Sequence, residues 1–112
     1  MVHLQCFWKL AFVSTLKWQM CLYSAKEDLF VSGNIHTAGN WEGFMVVQMI
    51  KVMRENPNST LLDIGGNIGF YTLAAAAGFS VNVFKPVPTN AAMIQQSIEK
   101  IALQTFGFIQ VH

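Results

Sequence analysis

From residue 59 onward the chain alternates short apolar runs with a glycine-rich break and an alanine-rich stretch. Residues 61–64 and 81–84 are apolar, β-compatible and too short for helices. A turn signal at Asn56, Pro57 and Asn58 precedes the first of them, so both are expected to be strands. Between them, 68–77 has the alanine content of a helix packed closely on a sheet, and Gly78 ends it. Two longer segments carry helical spacing. In 41–54, the residues Trp41, Phe44, Met45, Met49, Val52 and Met53 fall on one face and are expected to form its buried stripe. In 91–102, Ala91, Ile94, Ile98 and Ile101 face inward and leave Gln95, Gln96, Glu99 and Lys100 toward water. Asn40 is the expected N-cap of the first helix, with Glu42 in its first turn and Lys51 and Arg54 in its last. Thr89 or Asn90 should cap the second. Further strands are expected around Cys21–Leu22–Tyr23, near Leu29–Phe30–Val31 and over 106–111. Strands alternating with helices in this way specify an α/β chain with a parallel sheet.

The break between strand and helix carries the candidate chemistry. Asp63, Gly65, Asn67 and Gly69 occupy alternate positions, with Gly66 between them. A strand ending on a carboxylate, then a glycine turn, then a helix gathers backbone N–H groups and one acid around a small polar ligand. This is not the dinucleotide fingerprint, because Asn67 and Phe70 stand where its second and third glycines belong.

The order does resemble motif I of the S-adenosylmethionine-dependent methyltransferases. The run Asp63, Ile64, Gly65, Gly66, Asn67, Ile68, Gly69, Phe70, Tyr71, Thr72 looks most like the FkbM-type branch, a group largely of O-methyltransferases. A second block supports it. Phe84, Lys85, Pro86, Val87 and Pro88 match the Phe-Glu-Pro-x-Pro of that family at every position but the acid, and Lys85 lies near the ~20-residue offset from Asp63 expected of a ribose-binding residue. Upstream, Glu27–Gly33 and Gly39–Glu42 resemble the family's lead-in, so the likeness runs from roughly Met20 to Leu103. It implies a Rossmann-like methyltransferase fold, here an incomplete parallel sheet flanked by helices. Residues 20–112 would be the N-terminal part of the domain, and 1–19 an apolar segment of uncertain role. It implies S-adenosylmethionine as cofactor, with Gly65, Gly66, Asn67 and Gly69 along its methionine portion, Asp63 anchoring its ammonium, and position 85 at the ribose. The reaction would be methyl transfer to a hydroxyl of a small molecule or glycan, in which the protein mainly positions the reactants. The resemblance identifies no catalytic side chain and implies no metal.

Lys85 departs from the pattern. The family's glutamate accepts from both ribose hydroxyls, whereas an ammonium only donates. Three readings follow: a decayed copy, a single-base change, or a ligand switched to one bearing a ribose phosphate. Length is the second departure. At 112 residues the chain reaches only about the third core strand of a fold that needs about twice that length. Such a piece is expected to be inactive on its own, and a non-catalytic remnant of the fold is the alternative. A half-sheet would also self-associate through its exposed edge.

Composition narrows the rest. Charged residues make up 12% against the usual ~25%, and a net charge of +1 without a basic run gives no nucleic-acid footprint. The uncharged stretch 64–84 is long enough for a membrane span, but its glycines and asparagines fit a buried β-α-β segment better. The apolar stretch 7–22 is interrupted by Lys9 and Lys17 and lacks a cleavage site, which leaves a signal, an anchor or a packing segment open. Cys6 and Cys21 show no metal-ligand spacing. They are expected to be reduced thiols in a cytoplasmic protein. His3, His36 and His112 are scattered near loops and ends.

Overall fold

The computed structural model describes residues 4–84, 86–101 and 109–112. Its first element is a hairpin. Strands β1 (Phe7–Val13) and β2 (Leu16–Leu22) pair antiparallel with Val13 opposite Leu16, so Ser14 and Thr15 make the turn, Ser14 at a left-handed φ of 54°. One face buries Ala11, Val13, Trp18, Met20 and Leu22, while Trp8, Leu10 and Phe12 alternate outward and stay part-exposed. The N-terminal apolar stretch is thus a packing hairpin, and the strand expected at Cys21 already begins at Leu16.

The hairpin also corrects the reading of the cysteines. With Trp8 opposite Cys21, the residue two before Trp8 lies diagonally across on the same face. Cys6 and Cys21 come within 4.8 Å Cα to Cα and are joined as a disulfide. They are not free thiols, because the turn folds a separation of 15 residues back to one cross-strand step.

Helix α1 (Val31–Ala38) stands where a strand was expected near Leu29–Phe30–Val31. The carboxylate of Asp28 accepts from the N–H groups of Val31 (3.1 Å) and Ser32 (2.9 Å), satisfying donors that a new helix leaves open. Gly39 closes it at a left-handed φ of 80°. Helix α2 (Gly43–Glu55) follows, starting after Glu42 at φ 50° rather than being capped by Asn40. Its buried positions are Val46, Ile50 and Met53, with Trp41, Val47 and Met49 partly buried beside them. Phe44, Met45 and Val52, expected inside, are 79%, 57% and 59% exposed. The buried stripe is displaced by one residue, about 100° of helix rotation. Both sides of this helix are apolar, so the pattern alone underdetermined which one packs.

Strand β3 (Thr60–Ile64), helix α3 (Phe70–Ala76), strand β4 (Ser80–Phe84), helix α4 (Pro88–Ile101) and strand β5 (Ile109–Val111) complete the described chain. The sheet order is β3-β4-β5, parallel throughout, with Asp63 beside Val83 and Ile64 beside Phe84. The protein is therefore α/β, with a three-stranded parallel sheet plus an antiparallel pair among the described residues. The expected strand at 106–111 is seen from Ile109, and its first residues lie outside the described set. Helix α4 begins at Pro88, a favoured first helical position, so neither Thr89 nor Asn90 precedes it as a cap. Asn90 instead accepts from the Tyr23 hydroxyl at 2.6 Å.

Helix α4 ties the two sheets together. Ser97, fully buried, accepts from the Cys21 N–H of β2 at 2.9 Å, while Ile94 packs with Val81 and Val83 of β4. Its polar side at Gln95, Gln96, Glu99 and Lys100 is exposed as the spacing specified; of the expected stripe Ile94 and Ile101 are buried, Ala91 and Ile98 half-buried, and Met93 and Ser97, which the spacing did not single out, are fully buried. Among the described residues, helices cover one face of the parallel sheet. On the other, Leu62 and Ile64 are 60% and 78% exposed, and β3 is an edge of the described strands.

Candidate functional site

Strand β3 delivers Asp63 to the carboxyl end of the sheet, on the face that α3 covers. Its carboxylate is fixed there, because the buried Thr72 hydroxyl of α3 donates to Asp63 Oδ2 at 2.6 Å. Thr72 sits one helical turn beyond the glycine turn, so the turn and the acid are set by the same two elements.

The turn itself is built from close approaches. Gly65 and Gly69 take left-handed φ values of 69° and 96°, and Asn67, at 48°, is of the residue type that tolerates this region best after glycine. A Cβ on Gly66 would come within 2.7 Å of Val83 Cγ1, and one on Gly69 within 3.0 Å of Ile94 Cγ1. Gly66 therefore lets the turn lie against β4, and Gly69 lets α3 start against α4. These two glycines have a packing reason whether or not a ligand binds. Gly65 differs, since nothing lies within 4 Å of its Cβ position.

The N–H groups of the turn are partly spent internally. Gly65 donates to Phe84 O (2.8 Å), Asn67 to Gly65 O (2.7 Å) and Gly69 to Gly66 O (2.9 Å). Among the described residues, the N–H groups of Gly66 and Ile68 have no backbone acceptor. The turn thus presents fewer donors than its sequence suggested.

A cavity of about 210 Å³ opens over this turn, lined by Val31, Trp41, Glu42, Asp63, Gly65, Gly66, Asn67, Ile68, Phe70 and Tyr71. Asp63, Gly65, Gly66 and Asn67 are brought together on it. Gly69 is not on its wall but backs onto Ile94. Lys85 lies outside the described residues; it follows Phe84, the last residue of β4, in the chain.

Sequence reasoning missed the opposite wall. Glu42, expected in the first turn of a helix, lies just before α2, and its carboxylate accepts from the Tyr71 hydroxyl at 3.0 Å. Burial, that hydrogen bond and the charges of Glu42 and Asp63 push the Tyr71 phenol up to about 12. No local signal pairs positions 42 and 71, because only the packing of α2 on α3 joins them. Of the histidines, His36 and His112 contact Tyr23 O and Asn82 Oδ1, away from the cavity wall. Among the described residues no group of three or more His, Cys, Asp or Glu could hold a metal ion, and no helix is long and apolar enough to cross a membrane. Comparison with protein-family models, curated proteins and solved structures finds no match.

Proposed function

We propose that this chain carries the S-adenosylmethionine-binding part of a Rossmann-like methyltransferase fold of the FkbM type. The observation that carries the reading is the cavity at the carboxyl end of β3, where Asp63, Gly65, Gly66 and Asn67 meet beside a parallel neighbouring strand. Parallel strands joined by helices, with a ligand held at their carboxyl ends, are the general arrangement of open α/β sheets. On this reading the turn holds the methionine portion of the cofactor and position 85 faces the ribose. The acceptor would be a hydroxyl of a small molecule or glycan. Transfer would be an in-line displacement in which the protein aligns sulfonium and oxygen.

A second reading is a non-catalytic form of the fold that binds no cofactor. Lys85 supports it, since a donor-only cation replaces a two-point acceptor. The bare apolar face at Leu62 and Ile64 supports self-association in either case. A cytoplasmic location loses the support expected from reduced thiols, because a disulfide suits an oxidising compartment.

Calorimetry with S-adenosylmethionine on the native chain and on Lys85→Glu separates the two readings. A recovered charged hydrogen bond of about 1.5 kcal/mol or more should make Lys85→Glu bind at least about tenfold tighter. Equal affinity would remove position 85 from the ribose site, and absence of binding by both variants would favour the non-catalytic form. Preference of the lysine form for a ribose-phosphate ligand would point to a switched cofactor.

A further inference from the structure

The turn that feeds β3 carries a pattern that neither the fold nor the glycine turn uses. Asn58, Ser59 and Thr60 make an Asn-x-Thr triplet, the acceptor pattern for N-linked glycans, and no other asparagine of the chain has Ser or Thr two residues on. Pro57 stands before the triplet and not at its middle position, where proline would exclude it. Such a triplet is used where the chain passes the glycan-transferring machinery and the folded protein leaves room for a bulky sugar. Two features of the structure meet these conditions.

The first is exposure. Asn58 and Thr60 are exposed, and only Ser59 between them is half-buried. The turn is held by its neighbours: Asn56 Nδ2 donates to Val52 O at 2.9 Å, and the Ser59 N–H donates to Asn56 O at 2.9 Å. Among the described residues the Asn58 carboxamide has no hydrogen-bond partner, so the turn keeps its shape whatever Asn58 carries. The triplet enters β3 at its amino end, about 13 Å of strand away from the glycine turn at the other end. A glycan there leaves the cavity over the glycine turn open. The second feature is the Cys6–Cys21 disulfide. Disulfides form and persist in oxidising compartments, the secretory lumen among them, where N-linked glycans are attached. The bridge and the triplet lie in separate elements, and neither requires the other.

We propose that Asn58 is an N-glycosylation site, modified in the oxidising compartment in which Cys6 and Cys21 join. In the transfer, Asn58 Nδ2 forms a bond to the anomeric carbon of a glycan carried on a lipid diphosphate. The bond from that carbon to the diphosphate oxygen breaks, the lipid diphosphate leaves with the electron pair, and the amide gives up one proton. The glycan then stands at the head of β3, an edge of the described strands whose outer face carries the exposed Leu62 and Ile64. A bulky, solubilising group there limits the self-association that this bare face otherwise favours. None of this depends on the cofactor reading above.

The test expresses the full chain in a eukaryotic cell behind a secretory leader. The native chain should migrate as a heavier form that a peptide N-glycosidase returns to the unmodified mobility, with Asn58 converted to aspartate in the peptide mass spectrum. Asn58→Gln and Thr60→Ala should both lose that form, whereas Thr60→Ser, which keeps the hydroxyl of the triplet, should retain it. The mass of the peptide joined through Cys6 and Cys21, measured without reductant, reports that the chain has passed through the oxidising lumen. A native chain with the bridge formed and no glycan would overturn the proposal, and so would a glycan that persists in Asn58→Gln. In the protein isolated from its native source the peptide holding Asn58 should carry the same modification. An unmodified Asn58 there would overturn the proposal even if the leader-directed chain is glycosylated.

Discussion

The hairpin β1–β2 and the strand–turn–helix unit of β3 and α3 use the same apolar alphabet to opposite ends. The hairpin buries the middle of one face, with Ala11, Trp18, Met20 and Leu22 at 0–1% exposure, and a disulfide closes its open end. Strand β3 leaves Leu62 and Ile64 outside, carries a carboxylate toward the sheet's end, and passes into a turn with three residues at left-handed φ. One region packs the core, and the other carries the turn proposed above as the ligand site. The contact between them is specific: the Trp18 ring lies 5.2 Å from that of Phe70, the first residue of α3. The hairpin is thus a brace behind the glycine turn.

The largest effect should come from removing that brace. Trp18→Ala deletes a fully buried indole and is expected to cost about 3–5 kcal/mol in denaturant unfolding. Phe44→Ala, equally drastic in composition but 79% exposed, should stay within about 0.5 kcal/mol. Trp18→Phe should be far milder than Trp18→Ala, because Trp18 Nε1 is buried without a partner among the described residues and its loss strands no acceptor. Similar costs for Trp18→Ala and Phe44→Ala would mean that the hairpin does not pack as described.

The disulfide is next. A bridge closing about 15 residues stabilises by roughly 3 kcal/mol, chiefly by restricting the unfolded chain. Cys6→Ser with Cys21→Ser should lower the unfolding free energy by about that amount, and a reductant should do the same to the native chain while leaving the double variant unmoved. A native chain indifferent to reductant would show that the thiols are not joined in solution.

How much of this was legible in the sequence follows from where the information lies. The short runs at 61–64 and 81–84, with an alanine-rich helix between them, combine period and length with punctuation at Gly65 and Gly78, so β3, α3 and β4 could be read locally. The wet side of α4 was equally plain from Glu99, Lys100 and the glutamines, whereas its buried centre at Met93 and Ser97 was not. The hairpin was hidden because Trp8, Leu10 and Phe12 make its outer face apolar too, erasing the alternation, and Ser14–Thr15 lacks the usual hairpin glycine. The stripe of α2 was misplaced for the same reason, with apolar residues on every side. On the cavity wall, Asp63, Gly65 and Gly66 were announced by their spacing. Glu42 was not, since what brings it to Tyr71 is the docking of one helix on another.

The smallest expected effects sharpen the comparison within the turn itself, where packing and conformation can be separated residue by residue. Gly66→Ala places a methyl 2.7 Å from Val83 Cγ1 in a strand that is fully buried at that point. Such overpacking costs about 1–3 kcal/mol, and Val83→Ala in the same chain should recover part of it, because the two changes meet at one contact. Gly65→Asn meets no atom within 4 Å and asks only for a φ near 69°, which asparagine tolerates, so its cost should fall below about 1 kcal/mol. A double-mutant cycle over Gly66→Ala and Val83→Ala, with Gly65→Asn as the reference, measures this directly. Additive costs in the cycle would show that the turn does not rest on β4, and a Gly65→Asn penalty as large as that of Gly66→Ala would show that open space above Gly65 is filled in solution.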